Sequence, residues 1–256
     1  MENEPQNQKV DQTEEFREAI ETAAMKQINR FRKAARGVTP RSCPLCGYHG
    51  MFTAFGNPPR IDARCPKCNS LERHRLLYLF AERFDLFRPS HDVLHFAPEV
   101  QLASYLRDMV GRYETADLSP RRKVTHHLNI EETGLDPDSY DRIICSHVIE
   151  HVDDTKALAE MHRLVRPGGV VILMTPIVEG WKRTYENPAV ETSADRILHF
   201  GQGDHVRMYG RDLRDRIRAA GFELAEYTAV EPDVLTYGLM RGETVFVATR
   251  PEARKT

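Results

Sequence analysis

YDRIICSHVIEHVDDTKALAEMHRLVRPGGVVILMTP, residues 140–176, reads as a strand, a helix and a second strand. Tyr140 to Ser146 is a short run with an apolar centre, and Asp154 to Val165 carries apolar residues at helical spacing. Pro167-Gly168-Gly169 predicts a turn, and Val170 to Thr175 a second strand closed by Pro176. The cores of both strands, Ile143–Cys145 and Val170–Met174, are continuously apolar rather than alternating. That pattern belongs to a parallel sheet covered on both faces, so the expected class is α/β.

The same rhythm extends to either side. Upstream, Asp92–Phe96, Arg112–Ala116 and Val124–Ile130 read as strands, with a helix over Val100–Val110. Downstream, Arg211–Ala220 reads as a helix stopped by Gly221, and Phe222–Val230 and Glu243–Arg250 as closing strands joined by a loop holding Pro232 and Gly238. Ahead of residue 91, Leu71–Phe87 predicts a helix closed by Pro89, a bridge to whatever precedes it. Glu14–Arg36 repeats Phe16, Ile20, Ala23/Ala24, Ile28, Phe31 and Ala35 at helical spacing. Such a stripe docks on its own protein or on a second copy of the chain. The expected organisation is a tail and amphipathic helix over 1–40, a small module over 41–70, a connecting helix over 71–90 and the main domain over 91–256.

The small module rests on four of the five cysteines. Cys43-Pro-Leu-Cys46 and Cys65-Pro-Lys-Cys68 are two C-x-x-C knuckles separated by 18 residues. This is the spacing of a four-thiolate zinc site, and Gly47 stands where a knuckle needs a permissive backbone. Four thiolates fill a tetrahedral ion's coordination, so the metal, zinc by default and iron as the variant, is structural. Two disulfides are the alternative, and nothing else in the chain points to an oxidising compartment.

Composition narrows the partners. The chain has 256 residues, 41% of them apolar, and a formal charge of -2. That gives no whole-molecule field for nucleic acid or an acidic membrane. No basic start followed by an apolar core marks a signal peptide, and no stretch approaches the roughly 20 apolar residues of a membrane span. A reduced cytoplasm is the expected setting.

Residues 140–176 resemble the second half of a class I S-adenosylmethionine (SAM)-dependent methyltransferase. The resemblance rests on Asp141 entering the strand, on His147-x-x-x-His151 after it, and on Arg163-x-Leu-x-Pro-Gly-Gly169. It implies a Rossmann-like sheet, mostly parallel with its last strand antiparallel. Cys65 to Arg75 further resembles the signature of a group of methyltransferase-domain proteins that carry a zinc-ribbon-like segment in front. The departure is the first cofactor loop. His95-Phe96-Ala97-Pro98-Glu99-Val100 has no glycine, with Ala97 in place of the first glycine and His95 in place of the usual acid. Pro98 and Glu99 must then shape the loop, and Glu99 is expected to hold the cofactor's ammonium group. The resemblance places Asp117 and Leu118 at the ribose, Asn129 and Ile130 at the adenine, and Ser146 and His147 beside the sulfonium.

Methyl transfer requires a positioned nucleophile and, where a proton leaves, a base. His205 is the first candidate base, with His151 and Tyr185 beside it as catalytic candidates, and Arg207 and Tyr209 as substrate contacts. His147 and His151 share a face if their segment is helical, but the sequence offers no third metal ligand there. The expected acceptor is a small molecule or saccharide-like metabolite. The first alternative is RNA, gripped by Arg60, Arg64, Lys67, Arg73 and Arg75. The second is a non-catalytic scaffold on a degenerate methyltransferase fold.

Overall fold

The structure is a computed structural model and describes residues 20, 22–28, 30–31, 35, 37–56 and 58–252. The front module contains the short strands β1 (Arg41–Ser42), β2 (His49–Gly50), β3 (Thr53–Phe55) and β4 (Arg60–Arg64), which pair as two antiparallel ribbons. Each C-x-x-C closes the same way. Gly47 N–H donates to Cys43 O at 2.9 Å, and Asn69 N–H donates to Cys65 O at 2.9 Å. The closing residue is left-handed in both knuckles, with φ of 69° at Gly47 and 61° at Asn69. Glycine and asparagine tolerate that region best, which is why they stand there.

Helix α1 (Glu72–Arg83) follows directly. Its Leu76, Leu77, Phe80 and Ala81 pack into the main core. The main sheet comprises β5 (Asp92–Phe96), β6 (Arg112–Asp117), β7 (His126–His127), β8 (Tyr140–Ser146), β9 (Val165–Met174), β12 (Glu223–Thr228) and β13 (Thr244–Thr249). A small ribbon, β10 (Tyr185–Glu186) with β11 (Arg207–Met208), stands apart. The sheet order is β12-β13-β9-β8-β5-β6-β7, and only β13 runs against its neighbours. The expected Rossmann-like methyltransferase sheet is therefore present.

Alternation along the strands divides the core into two layers. Ile143, Cys145, Val171, Leu173, Phe246 and Ala248 face α3 (Asp154–Leu164) and α5 (Leu213–Ala219). Ile144, Ile172, Met174 and Val245 face α1 and α2 (Val100–Met109). Asp153 caps α3 by accepting from Thr155 and Lys156 N–H, and α4 (Ser193–Phe200) is capped by Thr192. The predicted turn at Pro167–Gly169 is instead a bulge within β9, where the register against β8 shifts. Gly169 has a steric reason. A Cβ there would meet Arg166 O at 2.8 Å and Asp141 O at 3.0 Å.

Three other expectations are corrected. The third strand is two residues rather than 124–130, because only Ala116 and Asp117 offer it ladder partners. The loop with Pro232 and Gly238 contains a short helix, α6 (Asp233–Tyr237). The residues after β8 form no α-helix: His147 is left-handed at φ 55°, and a 3₁₀ turn spans Ile149–His151. Part of the predicted Glu14–Arg36 helix, including Phe16, lies outside the described residues. Residues 20, 22–28 and 30–31 are helical, and Ile20, Ile28 and Phe31 are exposed rather than docked on the body of the chain. Among the described residues, no helix is long and apolar enough to cross a membrane.

Candidate active site and metal centre

Cys43, Cys46, Cys65 and Cys68 bring their sulfurs within 4.8 Å of one another. Cys43 and Cys68 Sγ stand 3.6 Å apart, as do Cys46 and Cys65. A disulfide would hold sulfurs at about 2.05 Å. Thiolates about 2.3 Å from one tetrahedral ion lie roughly 3.8 Å apart. The cluster thus has the spacing of a metal cage.

Arg75 fixes this module to the sheet domain. Its side chain is fully buried, with Nη1 donating to Ser70 O at 2.7 Å and Nη2 to Ala63 O at 3.1 Å. From the other side, Nε donates to Tyr237 O at 2.7 Å and Nη2 to Gly238 O at 2.6 Å. Its guanidinium also sits 4.7 Å over the Phe52 ring. The remaining cations of the RNA alternative are occupied too. Arg60 pairs with Glu72 at 2.8 Å, Arg64 donates to Thr53 Oγ1 at 3.2 Å, and Lys67 donates to Cys46 O at 2.9 Å. Arg73 stands 3.6 Å from Glu99.

A cavity of about 570 Å³ opens at the C-terminal ends of the parallel strands. Ligands of open α/β sheets collect there, and the volume is ordinary for a cofactor pocket of roughly 300–1,000 Å³. Phe96 and Ala97 line it after β5; Ala116, Asp117 and Leu118 after β6; and Asn129 and Ile130 after β7. His147 and His151 follow β8, and Arg196 and Asp204 complete the lining.

The expected cofactor residues divide between wall and foundation. Asp117 lines the cavity, with Oδ1 accepting from Ser119 N–H at 2.7 Å and Oδ2 3.3 Å from Arg122 Nε. Asn129 Oδ1 accepts from Glu131 N–H at 3.0 Å, leaving its amide hydrogens for a ligand. Leu118 is exposed, and Ile130 is buried. Ala97 takes the left-handed φ of 46° that a glycine would adopt freely, and its N–H donates to Ala116 O at 2.8 Å. His95, Pro98, Glu99 and Ser146 are not on the cavity wall. His95 is fully buried, bridging Tyr113 Oη at 2.8 Å and Glu99 Oε2 at 3.1 Å. Burial raises the Glu99 carboxyl, but the His95 hydrogen bond and the nearby His95, His74 and Arg73 hold it down at about 2. His95 therefore orients Glu99 rather than facing the cavity. Beside Glu99, Arg73 Nε and His74 Nε2 are buried without hydrogen-bond partners among the described residues.

The segment after β9, residues 175–210 and called the lid below, differs most from expectation, since it carries the candidates Tyr185, His205, Arg207 and Tyr209. Arg207 donates to Glu186 Oε1 at 2.6 Å, to Ile149 O at 2.9 Å and to Val152 O. Tyr209 is fully buried and donates to Ile149 O at 3.1 Å and Asp154 Oδ2 at 3.0 Å. Both tie the lid to the turn after β8 and are spent before any substrate arrives. Tyr185 hydrogen-bonds His199 Nδ1 at 2.6 Å, away from the cavity wall. His205 is buried, and its ring lies edge-on to His151 with centroids 4.7 Å apart. Sequence reasoning missed Arg196, Arg122 and Glu150. Glu150 stood in plain view between His147 and His151, but a helical reading turned it to another face.

The family model of a methyltransferase domain matches residues 16–227. No curated protein matches the chain. Among solved structures, a chain of the Haloferax volcanii complex between the Trm112 methyltransferase activator and its methyltransferase is 17% identical with a TM-score of 0.50, over 70% of this chain and 91% of that one. The [4+2]-cyclase SpnF is 14% identical with a TM-score of 0.50, over 70% and 82%. A SAM-dependent methyltransferase from Archaeoglobus fulgidus is 14% identical with a TM-score of 0.48, over 69% and 94%. A cyclase among these neighbours illustrates that likeness at this level speaks for the fold alone. With the family model spanning most of the sequence, and the sheet order and strand-end cavity in agreement, the chain belongs to the methyltransferase-domain family built on the SAM-dependent methyltransferase fold.

Proposed function

We propose that the protein is a SAM-dependent methyltransferase acting on a small-molecule acceptor, with structural zinc in the four-cysteine module. The observation that carries this reading is the cavity at the strand ends, with Asp117, Leu118, Asn129 and Ile130 along one wall. Asp117 offers a carboxylate to the ribose hydroxyls, Leu118 an apolar face to the adenine, and the Asn129 amide a donor to its ring edge. Arg73 and the ionised Glu99, the latter two residues along the chain from Ala97 on the cavity wall, offer the opposite charges that an amino-acid carboxylate and ammonium require. When bound, SAM supplies an activated methyl group on a sulfonium. The chain's own task is to aim the acceptor and assist the departure of its proton, and His151 on the cavity wall, with His205 packed against it, is placed for the second.

The acceptor is read as a small molecule because the cavity, at about 570 Å³, has the size of a small-molecule site, while Arg60, Lys67 and Arg75 of the RNA alternative already hold partners within the chain. Calorimetric titration of the zinc-loaded chain with SAM and with S-adenosylhomocysteine tests the reading. Binding should weaken at least tenfold in Asp117→Ala. Absence of binding to folded protein would turn the molecule into a scaffold on a methyltransferase fold.

A further inference from the structure

Glu150, His151 and His205 each bring one ligand atom to within 4.8 Å of the others. They come from two segments distant in sequence, the 3₁₀ turn after β8 and the lid behind α4. Glu150 is 1% exposed, so its carboxylate is almost wholly removed from water. Oε2 accepts from Thr175 Oγ1 at 2.9 Å, while Oε1 has no hydrogen-bond partner among the described residues and stands 3.3 Å from His147 Nδ1. His147 satisfies that oxygen only in part, so the buried carboxylate keeps acceptor capacity for an occupant.

The histidines come within reach of the same occupant. His151 Nδ1 faces the Asp204 carbonyl at 3.1 Å. A carbonyl only accepts, so Nδ1 carries the proton and Nε2 presents its lone pair. Imidazoles that ligate metal are held by this kind of partner on the other ring nitrogen. His205 packs edge-on against that ring, and both His151 and its anchor Asp204 belong to the cavity region. Ligand atoms around an ion at about 2.1 Å lie roughly 3 Å apart, so modest side-chain rotation completes the set.

We propose that Glu150, His151 and His205 bind a divalent first-row cation at the cavity mouth, and that the acceptor coordinates it through a hydroxyl oxygen. The second half rests on the methyltransferase reading above. One carboxylate and two imidazoles leave coordination positions open, unlike the four-cysteine cage. A coordinated hydroxyl loses its proton more readily. That proton passes to solvent, and an oxygen lone pair forms the new O–CH3 bond. The methyl–sulfur bond breaks with its electron pair left on sulfur as a thioether. Adjacent open positions favour acceptors with a hydroxyl next to a second oxygen, such as vicinal diols.

The test is Mn2+ titration of the zinc-loaded full chain, followed by the loss of the free-ion paramagnetic resonance signal. Mn2+ prefers oxygen and nitrogen ligands and leaves thiolate-bound zinc in place. One Mn2+ should bind per chain, with affinity at least tenfold weaker in Glu150→Gln and in His205→Gln, and unchanged in His199→Ala. A thermal melt of each variant establishes that it is folded, and the near-isosteric Glu150→Gln carries the test if a histidine variant is not. Absence of Mn2+ binding to wild type, or equal binding by folded variants, overturns the inference. SAM titration on the same samples separates the two readings. SAM binding without Mn2+ binding sinks the cation site alone, and Mn2+ binding without SAM binding sinks its part in methyl transfer.

Discussion

Replacing Arg75 by methionine should destabilise the whole molecule and separate its two parts. Methionine keeps much of the apolar stem, so the change is mainly the loss of the guanidinium. Four carbonyls lose a donor: Ser70, Ala63, Tyr237 and Gly238. Ser70 O keeps the Cys65 N–H at 3.0 Å, so three are the relevant count. At about 1–3 kcal/mol for each carbonyl left without its partner, offset in part because no charge is now buried, the net loss is about 4 kcal/mol. For a chain of this size that lowers the melting midpoint by roughly 8–16 °C. The assay is denaturant unfolding followed in parallel by circular dichroism and by release of the cysteine-bound metal to a colorimetric chelator. Wild type should show coincident transitions, and Arg75→Met should release metal first. A variant within about 1 kcal/mol of wild type, or wild-type transitions that are already separate, would refute the reasoning.

Ala97→Gly should stabilise the chain by about 1 kcal/mol in equilibrium denaturation, since Ala97 holds a left-handed φ of 46°; an unchanged midpoint would mean that the loop carries no strain. Gly47→Ala should cost about 1 kcal/mol through backbone conformation alone, because a Cβ there meets nothing within 4 Å, and chelator challenge should strip its metal sooner. Burial pushes His74 down to about 4 from an ordinary 6.5, against the pull of Glu99. Between those values the unfolded chain binds the extra proton, so stability should fall as pH drops from 6.5 to 4, by about 3 kcal/mol in total. His74→Asn, which keeps an acceptor for the Leu71 N–H, should close the gap to wild type over that window, whereas a constant gap would exclude the linkage. Glu99, held at about 2 against an ordinary 4.5, contributes stability above pH 4.5 that should disappear as pH falls toward 2, and Glu99→Gln should remove that lower acid limb.

The fold was legible where burial left an imprint on the chain. Strands such as Val170–Met174 are packed from both faces and carry no polar residue, so their apolar run announces them. The third strand was overextended because edge pairing leaves no hydrophobic signature, and β7 ends where β6 ends. Asp117 and Asn129 were found because strand ends locate a site before side chains are seen. Arg207 and Tyr209 misled for the opposite reason: their partners lie 21 to 60 residues away, so nothing near them in sequence shows that they are occupied. Glu150 was hidden by a wrong local period. A 3₁₀ turn with a left-handed entry sends consecutive residues in directions that helical spacing does not predict.

The Glu99 cluster has a consequence for the history of the chain. The glycine-free loop is steadied by His95 within its own domain, and by His74 and Arg73 from the helix that leaves the cysteine module. Its shape is therefore written across two segments that must be inherited together. Relatives lacking the four cysteines are expected to lack this arginine–histidine pair as well, and to regain glycine where Ala97 stands. A chimera joining this sheet domain to a foreign front segment should fail at the cofactor loop before it fails anywhere else.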